Sequence, residues 1–259
     1  MTRAEPSWLD LRGTELGLAF ALLTRLPTPK LAIVARRAVG DYVWAFPIAG
    51  LVVGCLSGIA LWLARDLGAG RSLGALAGLV VSMLATGALH EDGLADFWDG
   101  IGGGRTRARK LEIMRDSAIG SYGAAALFIG LAARWTALGD IPRPADAMGA
   151  LIVAHTLSRG MLAVVLEYWR PARRDGLAAA AGGSALASCF AVLFALAIAF
   201  GFAGVPVALA GLIAAAIGTI AVAAIAGRYL GGYTGDVLGA AQQTAEVLAL
   251  IAASILYSH

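Results

Sequence analysis

Residues 73–100 read LGALAGLVVSMLATGALHEDGLADFWDG, an apolar run over residues 73–89 followed at once by an acidic segment. The apolar run holds no charged residue, whereas four of the 17 acidic residues of the chain lie within residues 90–100. An uncharged run of this kind is typical of a helix that crosses a membrane, where about 20 apolar residues span the hydrocarbon layer. The stretch therefore indicates a membrane protein that holds carboxylates at the end of a membrane helix.

The acidic segment places several carboxylates on one face if the helix continues through it. Asp92, Asp96 and Asp99 are spaced i, i+4 and i+7, so at about 100° per residue they fall within a sector of roughly 60°. Carboxylates on one face repel one another unless a cation lies between them, and oxygen ligands suit Mg²⁺. We predict a Mg²⁺ site with Asp92 and Asp96 as ligands and Glu91 or Asp99 completing or flanking it. A solvated acidic helix end is the alternative.

The composition of the whole chain supports the membrane interpretation. Its 259 residues are 59% hydrophobic and only 14% charged, whereas a soluble domain carries about 25% charged residues. A chain this apolar has more apolar surface than one globular core can bury, so a polytopic membrane protein is predicted. The net charge of +3 reflects arginines in loops and does not indicate nucleic acid as a partner.

We predict an all-α fold, a polytopic integral membrane helical bundle of about seven transmembrane helices, forming one domain over residues 1–259. The predicted spans are residues 42–64, 73–89, 121–138, 147–169, 185–204, 206–227 and 237–257. The apolar segment 13–26 is too short to span and stops at the prolines that follow. It is predicted to be a re-entrant or interfacial helix, with a short tilted span as the alternative.

The distribution of Lys and Arg predicts the orientation in the membrane. These residues are concentrated in one alternating set of connections, residues 25–40, 91–119, 170–184 and 228–236. They are sparse in the other set, residues 65–72 and 139–146. The positive-inside rule places the basic set in the cytoplasm. We therefore predict a protein of the bacterial cytoplasmic (inner) membrane whose acidic segment faces the cytoplasm.

Three basic features are candidates for phosphate or lipid binding. Residues 105–110 are best interpreted as a membrane-surface anchor that can also hold anionic lipid. Arg115 precedes a glycine-containing turn and is a candidate phosphate ligand. Its neighbour Asp116 is either a surface partner or a further metal or substrate ligand. Arg159 lies inside a predicted span, where it must face a polar cavity or a carboxylate. We favour a substrate phosphate over a structural ion pair for Arg159.

The segment Gly231-Gly-Tyr-Thr-Gly-Asp236 precedes the last span. A glycine-rich turn that leads into a helix presents free N–H groups and the positive end of the helix dipole to a phosphate. The predicted phosphate-binding residues of this turn are Gly232, Thr234 and Gly235.

Two carboxylates are candidate catalytic residues, Asp99 and Asp236. A helix N-cap is the alternative role for Asp236. Glu246, near the same face of the last span as Asp236, is predicted to line a substrate cavity.

Five segments, in order along the chain, resemble those of the cobalamin (5′-phosphate) synthase family, the adenosylcobinamide-GDP ribazoletransferases. They are Thr24-Arg-Leu-Pro27, Phe46-Pro-Ile-Ala-Gly50, the acidic segment 90–100, Ile113–Gly123 and Gly232–Ala240. The resemblance implies a Mg²⁺-dependent phosphotransferase of the class that transfers substituted phosphate groups. A hydroxyl of α-ribazole or its 5′-phosphate would attack the corrinoid-bearing phosphate of adenosylcobinamide-GDP and release GMP, in the last steps of adenosylcobalamin (vitamin B12) biosynthesis.

Two alternative functions are a CDP-alcohol phosphotransferase of lipid synthesis and a cation- or proton-coupled transporter. The first has a signature with an Ala-Arg element that Asp92-Gly-Leu-Ala-Asp96 lacks, and the second requires broken helices in two halves. The predicted partners are the two substrates and membrane lipid, and association with further copies of the chain is left open.

Overall fold

The computed structural model describes residues 8–28, 38–173 and 184–258. Within these ranges the chain forms nine α-helices and two short 3-10 turns. Parts of the predicted cytoplasmic connections, residues 29–37 and 174–183, lie outside the described residues. The helices are α1 Trp8–Leu23, α2 Phe46–Asp66, α3 Arg71–Thr86, α4 Leu89–Gly103, α5 Arg107–Ile113, α6 Ser121–Asp140, α7 Pro144–Tyr168, α8 Ala185–Leu230 and α9 Gly235–Tyr257.

Helix α7 lies at the centre of the bundle, and most of its residues are buried. Small residues let its neighbours approach closely, as is common between helices in lipid. A Cβ atom at Gly54 of α2 would lie only 2.7 Å from the Cα atom of Ile152 in α7. On the opposite side, Gly211 of α8 packs against the side chains of Val153 and Leu157.

Helix α8 consists of two antiparallel helices joined at Gly204. This glycine has φ 73° and ψ 175°, which is not helical, and it is a conformation that glycine adopts without steric cost. Ser188 Oγ, near the start of α8, donates to the Ala163 carbonyl at 3.0 Å. Gly227, near its end, packs against Trp169. Both ends of α8 therefore lie beside the end of α7, which confirms the predicted separation of residues 185–204 and 206–227.

Four described helical segments are long and apolar enough to cross a membrane, or five if α3 and α4 form one broken span. The four are Val43–Asp66, Pro144–Tyr168, Ala185–Leu230 and Gly235–Tyr257. The polytopic helical bundle is thus confirmed, whereas the count of about seven spans is not. The N-terminal helix α1 has 16 residues, begins before the predicted position and is too short to span a bilayer.

The acidic segment does not continue the apolar helix before it. Helix α3 ends at Thr86, and Gly87 and Ala88 both have left-handed backbone angles, with φ 65° and 55°. Helix α4 then runs at 87° to α3. The predicted span over residues 73–89 was therefore too long at its end, because two left-handed residues break the helical hydrogen bonding.

Arginines fix the connections at the two ends of the bundle. At one end, Arg65 donates to the carbonyls of Leu138 and Ile141, at 2.8 and 2.9 Å. At the other end, Arg107 donates to the carbonyls of Leu230 and Ala172, at 2.6 and 2.8 Å. Since these groups lie at opposite ends of α7, the two predicted sets of connections are separated as the charge pattern indicated.

Candidate active site

Helices α4 and α9 cross in backbone contact at two glycines. A Cβ atom at Gly93 would lie 3.0 Å from the carbonyl oxygen of Asp236 and 3.1 Å from the Cα atom of Gly239. A Cβ atom at Gly239 would lie 3.1 Å from the Cα atom of Gly93. This contact places the acidic face of α4 beside the first turn of α9.

The crossing brings together three carboxylates, those of Asp92, Asp96 and Asp236, which we call the carboxylate group. Asp96 lies within electrostatic range of both others. Asp92 is exposed, and Asp96 and Asp236 are partly buried. Within the described parts of the chain, no cationic side chain forms an ion pair with Asp92 or Asp96. Like charges held this close favour the binding of a cation.

The carboxylate group fits Mg²⁺ by the chemistry of its donors. Among the described residues, no three His, Cys, Asp or Glu side chains converge closely enough to enclose a metal ion. Mg²⁺ rarely needs such an enclosure, because it usually takes one or two carboxylates together with water and substrate phosphates. Asp92 and Asp96 would hold it, with Asp236 facing them across the crossing.

Asp99 also lies within electrostatic range of Asp96, but its oxygens contact the start of α6. Its Oδ2 atom accepts a hydrogen bond from the Gly120 N–H at 2.7 Å, and Oδ1 accepts one from the Gly123 N–H at 2.8 Å. Both oxygens thus satisfy backbone donors at a helix N-terminus. The metal-binding and catalytic roles of Asp99 stay predictions, and the geometry favours helix capping.

Glu91 points into the protein, where a buried ion cluster joins helices α4, α6, α7 and α9. Arg134 of α6 donates to Glu91 Oε1 and to Glu246 Oε1, each at 3.0 Å. Arg134 is 1% exposed and Glu246 is fully buried. Glu91 is thus an ion-pair partner of Arg134, and its predicted role as a metal ligand has no support in these contacts.

The same cluster contains the arginine of α7. Arg159 Nη1 lies 3.6 Å from Glu246 Oε2, and His155 Nδ1 lies 2.9 Å from the same oxygen. Gln242 also donates to this oxygen, at 2.6 Å. The geometry therefore favours the structural ion pair for Arg159, and phosphate binding by Arg159 and Glu246 stays a prediction. Arg134 was not predicted from the sequence. Like Arg159, it is a charged residue inside an apolar run, and this signal could have identified it.

The glycine-rich turn before α9 is fixed by backbone contacts. Thr234 Oγ1 accepts from the Val237 N–H at 3.3 Å and donates to Asp236 Oδ2 at 3.2 Å. Thr234 is therefore the N-cap, and the N-cap role considered for Asp236 was wrong, since α9 begins two residues earlier than a cap at Asp236 requires. Gly232, with φ 154°, lies against the Arg170 backbone, whereas Gly235 is exposed.

The basic residues differ in their surroundings. Arg115 and Asp116 are exposed after α5, and Asp116 Oδ1 accepts from the Ala118 N–H at 3.1 Å. Their roles as ligands stay predictions.

Arg173, not predicted as a site residue, lies within electrostatic range of Asp236 and donates to the Leu111 carbonyl at 2.6 Å. Arg173 lies in the predicted basic connection 170–184, where the sequence carried no signal for a site residue.

We expect Gly93→Ala to lower both stability and activity. The added methyl would contact the backbone of α9, so the two helices must separate and Asp92 must move away from Asp236. Overpacking of this kind costs about 1–3 kcal/mol. Gly139→Ala is the matched control, because a Cβ there meets no atom of the described residues within 4 Å. Thermal unfolding in detergent should separate the two variants, and equal midpoints would contradict the close crossing.

A polytopic helical bundle with a carboxylate group at one end defines a membrane-embedded enzyme with an acidic site. The family model described as Cobalamin-5-phosphate synthase matches residues 15–254. The chain therefore belongs to the cobalamin-5-phosphate synthase family.

Curated relatives support this membership over most of the chain. A protein of Mesorhizobium japonicum, named adenosylcobinamide-GDP ribazoletransferase, is 41% identical over 94% of both chains. A protein of the same name from Bradyrhizobium diazoefficiens is 43% identical over 93% of both chains. A third, from Shewanella baltica, is 39% identical over 89% of this chain and 90% of its own. No solved structure gives a significant match.

Proposed function

We propose that this protein is an adenosylcobinamide-GDP ribazoletransferase that acts through the carboxylate group at the α4–α9 crossing. The names of its relatives supply the reaction. The observation that carries the site is the convergence of Asp92, Asp96 and Asp236, three carboxylates from two helices in backbone contact. Phosphoryl transfer depends on positioning and on neutralisation of phosphate charge, and such a group can supply both with a divalent cation.

The reaction forms one phosphorus–oxygen bond and breaks another. A hydroxyl of α-ribazole, or of its 5′-phosphate, attacks the phosphate that carries the corrinoid. The bond from this phosphate to the GMP oxygen breaks, GMP leaves, and the hydroxyl proton passes to a base. Mg²⁺, when bound, would neutralise the charge that develops on the pyrophosphate. Asp92 and Asp96 would hold the cation, and Asp236 is positioned to accept the proton.

The position of the carboxylates favours this reaction over transport. A transporter needs polar sites near the middle of the membrane, on broken helices in two halves. Here the carboxylate group lies at one end of the bundle, next to the starts of α4 and α9. Among the described residues, the interior charges Glu91, Arg134, Arg159 and Glu246 pair with one another in a buried cluster.

Release of GMP tests the proposal directly. Purified protein in detergent or nanodiscs should release GMP only when adenosylcobinamide-GDP, α-ribazole or its 5′-phosphate, and Mg²⁺ are all present. Chelation should stop the reaction, and added Mg²⁺ should restore it. The control reaction offers a CDP-alcohol with a lipid acceptor and should release no CMP. Release of CMP, or GMP release that continues without metal, would overturn the proposal.

Asp236→Asn should fold normally and lose activity by about 10²-fold or more, as expected when a general base is removed. Asn can still accept the hydrogen bond from Thr234, so the start of α9 is kept. Thr234→Ala is the comparison, because removal of the N-cap should lower stability by about 1 kcal/mol. Turnover and thermal unfolding of both variants check this. If Asp236→Asn instead unfolds readily and retains turnover, Asp236 has a structural role.

We place the protein in the cytoplasmic membrane with the carboxylate group facing the cytoplasm, on the basis of the positive-inside rule. The test introduces Arg105→Cys at the predicted inner end or Leu67→Cys at the other, in a chain without Cys55 and Cys189. Both positions are exposed. An impermeant maleimide should label Leu67→Cys in intact cells and Arg105→Cys only after permeabilisation. The reverse pattern would invert the orientation.

A further inference from the structure

A cavity of about 220 Å³ opens beside the carboxylate group. Its walls are mainly apolar and come from α1, α2, α4, α7 and α9, with Leu23, Phe46, Leu162, Leu166 and Leu238 among the lining residues. Since about 10–15 Å³ of such space holds one water molecule, the cavity has room for a two-ring base. Asp92 and Asp236 also line it, so a molecule bound there would lie against two of the proposed active-site carboxylates.

His90 is the remaining polar side chain of this lining, and the mechanism does not use it. It is 3% exposed, and its Nε2 atom is buried with no hydrogen-bond partner among the described residues. A buried polar atom without a partner costs free energy, so such atoms in native proteins usually meet a ligand, a water or another group. His90 therefore brings an unsatisfied polar side chain to the wall of an apolar cavity, with Nε2 facing away from the open space toward the buried ion cluster.

We propose that this cavity binds the benzimidazole base of the ribazole acceptor, and that the His90 ring turns so that its Nε2–H donates to the free ring nitrogen of the base. The inference rests on the proposed function. The base is an apolar bicycle with a single acceptor nitrogen once its other nitrogen carries the ribose, which matches apolar walls with one donor. Guanine fits less well, because its O6, N7 and N3 acceptors outnumber the single donor that these walls provide.

The position of the base also accounts for the orientation of the acceptor. With the base in the cavity, the attached ribose lies at the side where Asp92 and Asp236 line it. A ribose hydroxyl would then be next to Asp236, which accepts its proton, and next to the cation held by Asp92. His90 thus binds the substrate and sets its position, while the proton transfer belongs to Asp236.

His90→Phe keeps a ring of similar size and removes the donor, so it should raise the KM for α-ribazole about tenfold. The KM for adenosylcobinamide-GDP should stay within about twofold of its original value. His90→Gln retains an N–H donor and should recover part of the loss. Leu166→Phe tests the cavity independently of His90, since a larger side chain should narrow it and raise the same KM. For any variant whose turnover is too slow to give a KM, the dissociation constant of α-ribazole is measured at equilibrium without the second substrate.

Each outcome decides the proposal. Unchanged α-ribazole binding in both His90→Phe and Leu166→Phe would overturn it, and so would a rise confined to the KM for adenosylcobinamide-GDP, which would assign the cavity to guanine or corrinoid. The wild-type protein separates the two proposals. If the wild-type protein does not release GMP from the two substrates, the proposed function is overturned. If the wild-type protein releases GMP normally and both variants bind α-ribazole as the wild type does, only the role of the cavity is overturned.

Discussion

Asp92→Asn and Asp96→Asn should each lower turnover by roughly 10³-fold while the protein remains folded in the membrane. Asparagine has nearly the same shape as aspartate but no charge, so it holds Mg²⁺ poorly and cannot offset the charge on the pyrophosphate. Stability should change little, because no described cationic side chain is paired with either residue. Initial rates of GMP release over a range of Mg²⁺ concentrations provide the measurement.

The matched control for these two variants is Asp66→Asn. Asp66 is an exposed carboxylate at the end of α2, and the other end of the bundle holds the site. This variant should retain ordinary activity at every Mg²⁺ concentration. If Asp92→Asn or Asp96→Asn keeps near-normal rates when Mg²⁺ is limiting, the carboxylate group does not bind the metal.

Arg134→Met should destabilise the protein by about 3–5 kcal/mol, the largest loss of stability that we expect from a single substitution. Methionine fills much of the space but leaves the buried Glu91 without its cationic partner, while Glu246 keeps its contacts with Arg159 and His155. Removal of one member of a buried ion cluster is costly because the remaining charge stays buried and uncompensated. Unfolding in detergent, followed by circular dichroism, measures the change.

An exposed ion pair provides the control for Arg134. Arg143 contacts Asp146 at 2.6 Å, and the Arg143 side chain is 78% exposed. Exposed pairs contribute only about 0–1 kcal/mol, so Arg143→Met should have a small effect. A comparable loss in both variants would show that the buried cluster contributes no more than a surface pair.

The pairing of Arg134 also shows why part of the site could not be predicted. Glu91 and Asp92 are adjacent and chemically similar, and from the sequence both are candidates for the metal site. Neighbouring residues on a helix point about 100° apart, so one can face the interior while the next faces a pocket. Which residue faces Arg134 depends on the position of α6, a helix more than 40 residues away along the chain. The sequence therefore identified the carboxylates as a set, but not which of them face the pocket and which face the protein interior.

Local properties of the sequence determined the membrane bundle, the break at Gly204 and the carboxylates as candidate site residues. Length, hydropathy and glycine positions are local, and they act on each segment wherever it lies in the fold. Only the tertiary structure decided that Asp236 joins Asp92 and Asp96, that Asp99 caps α6 and that Arg134 joins Glu91 to Glu246. These relations depend on the contact of Gly93 with Gly239 and on the packing of distant helices, and no local pattern encodes which side chains such packing brings together.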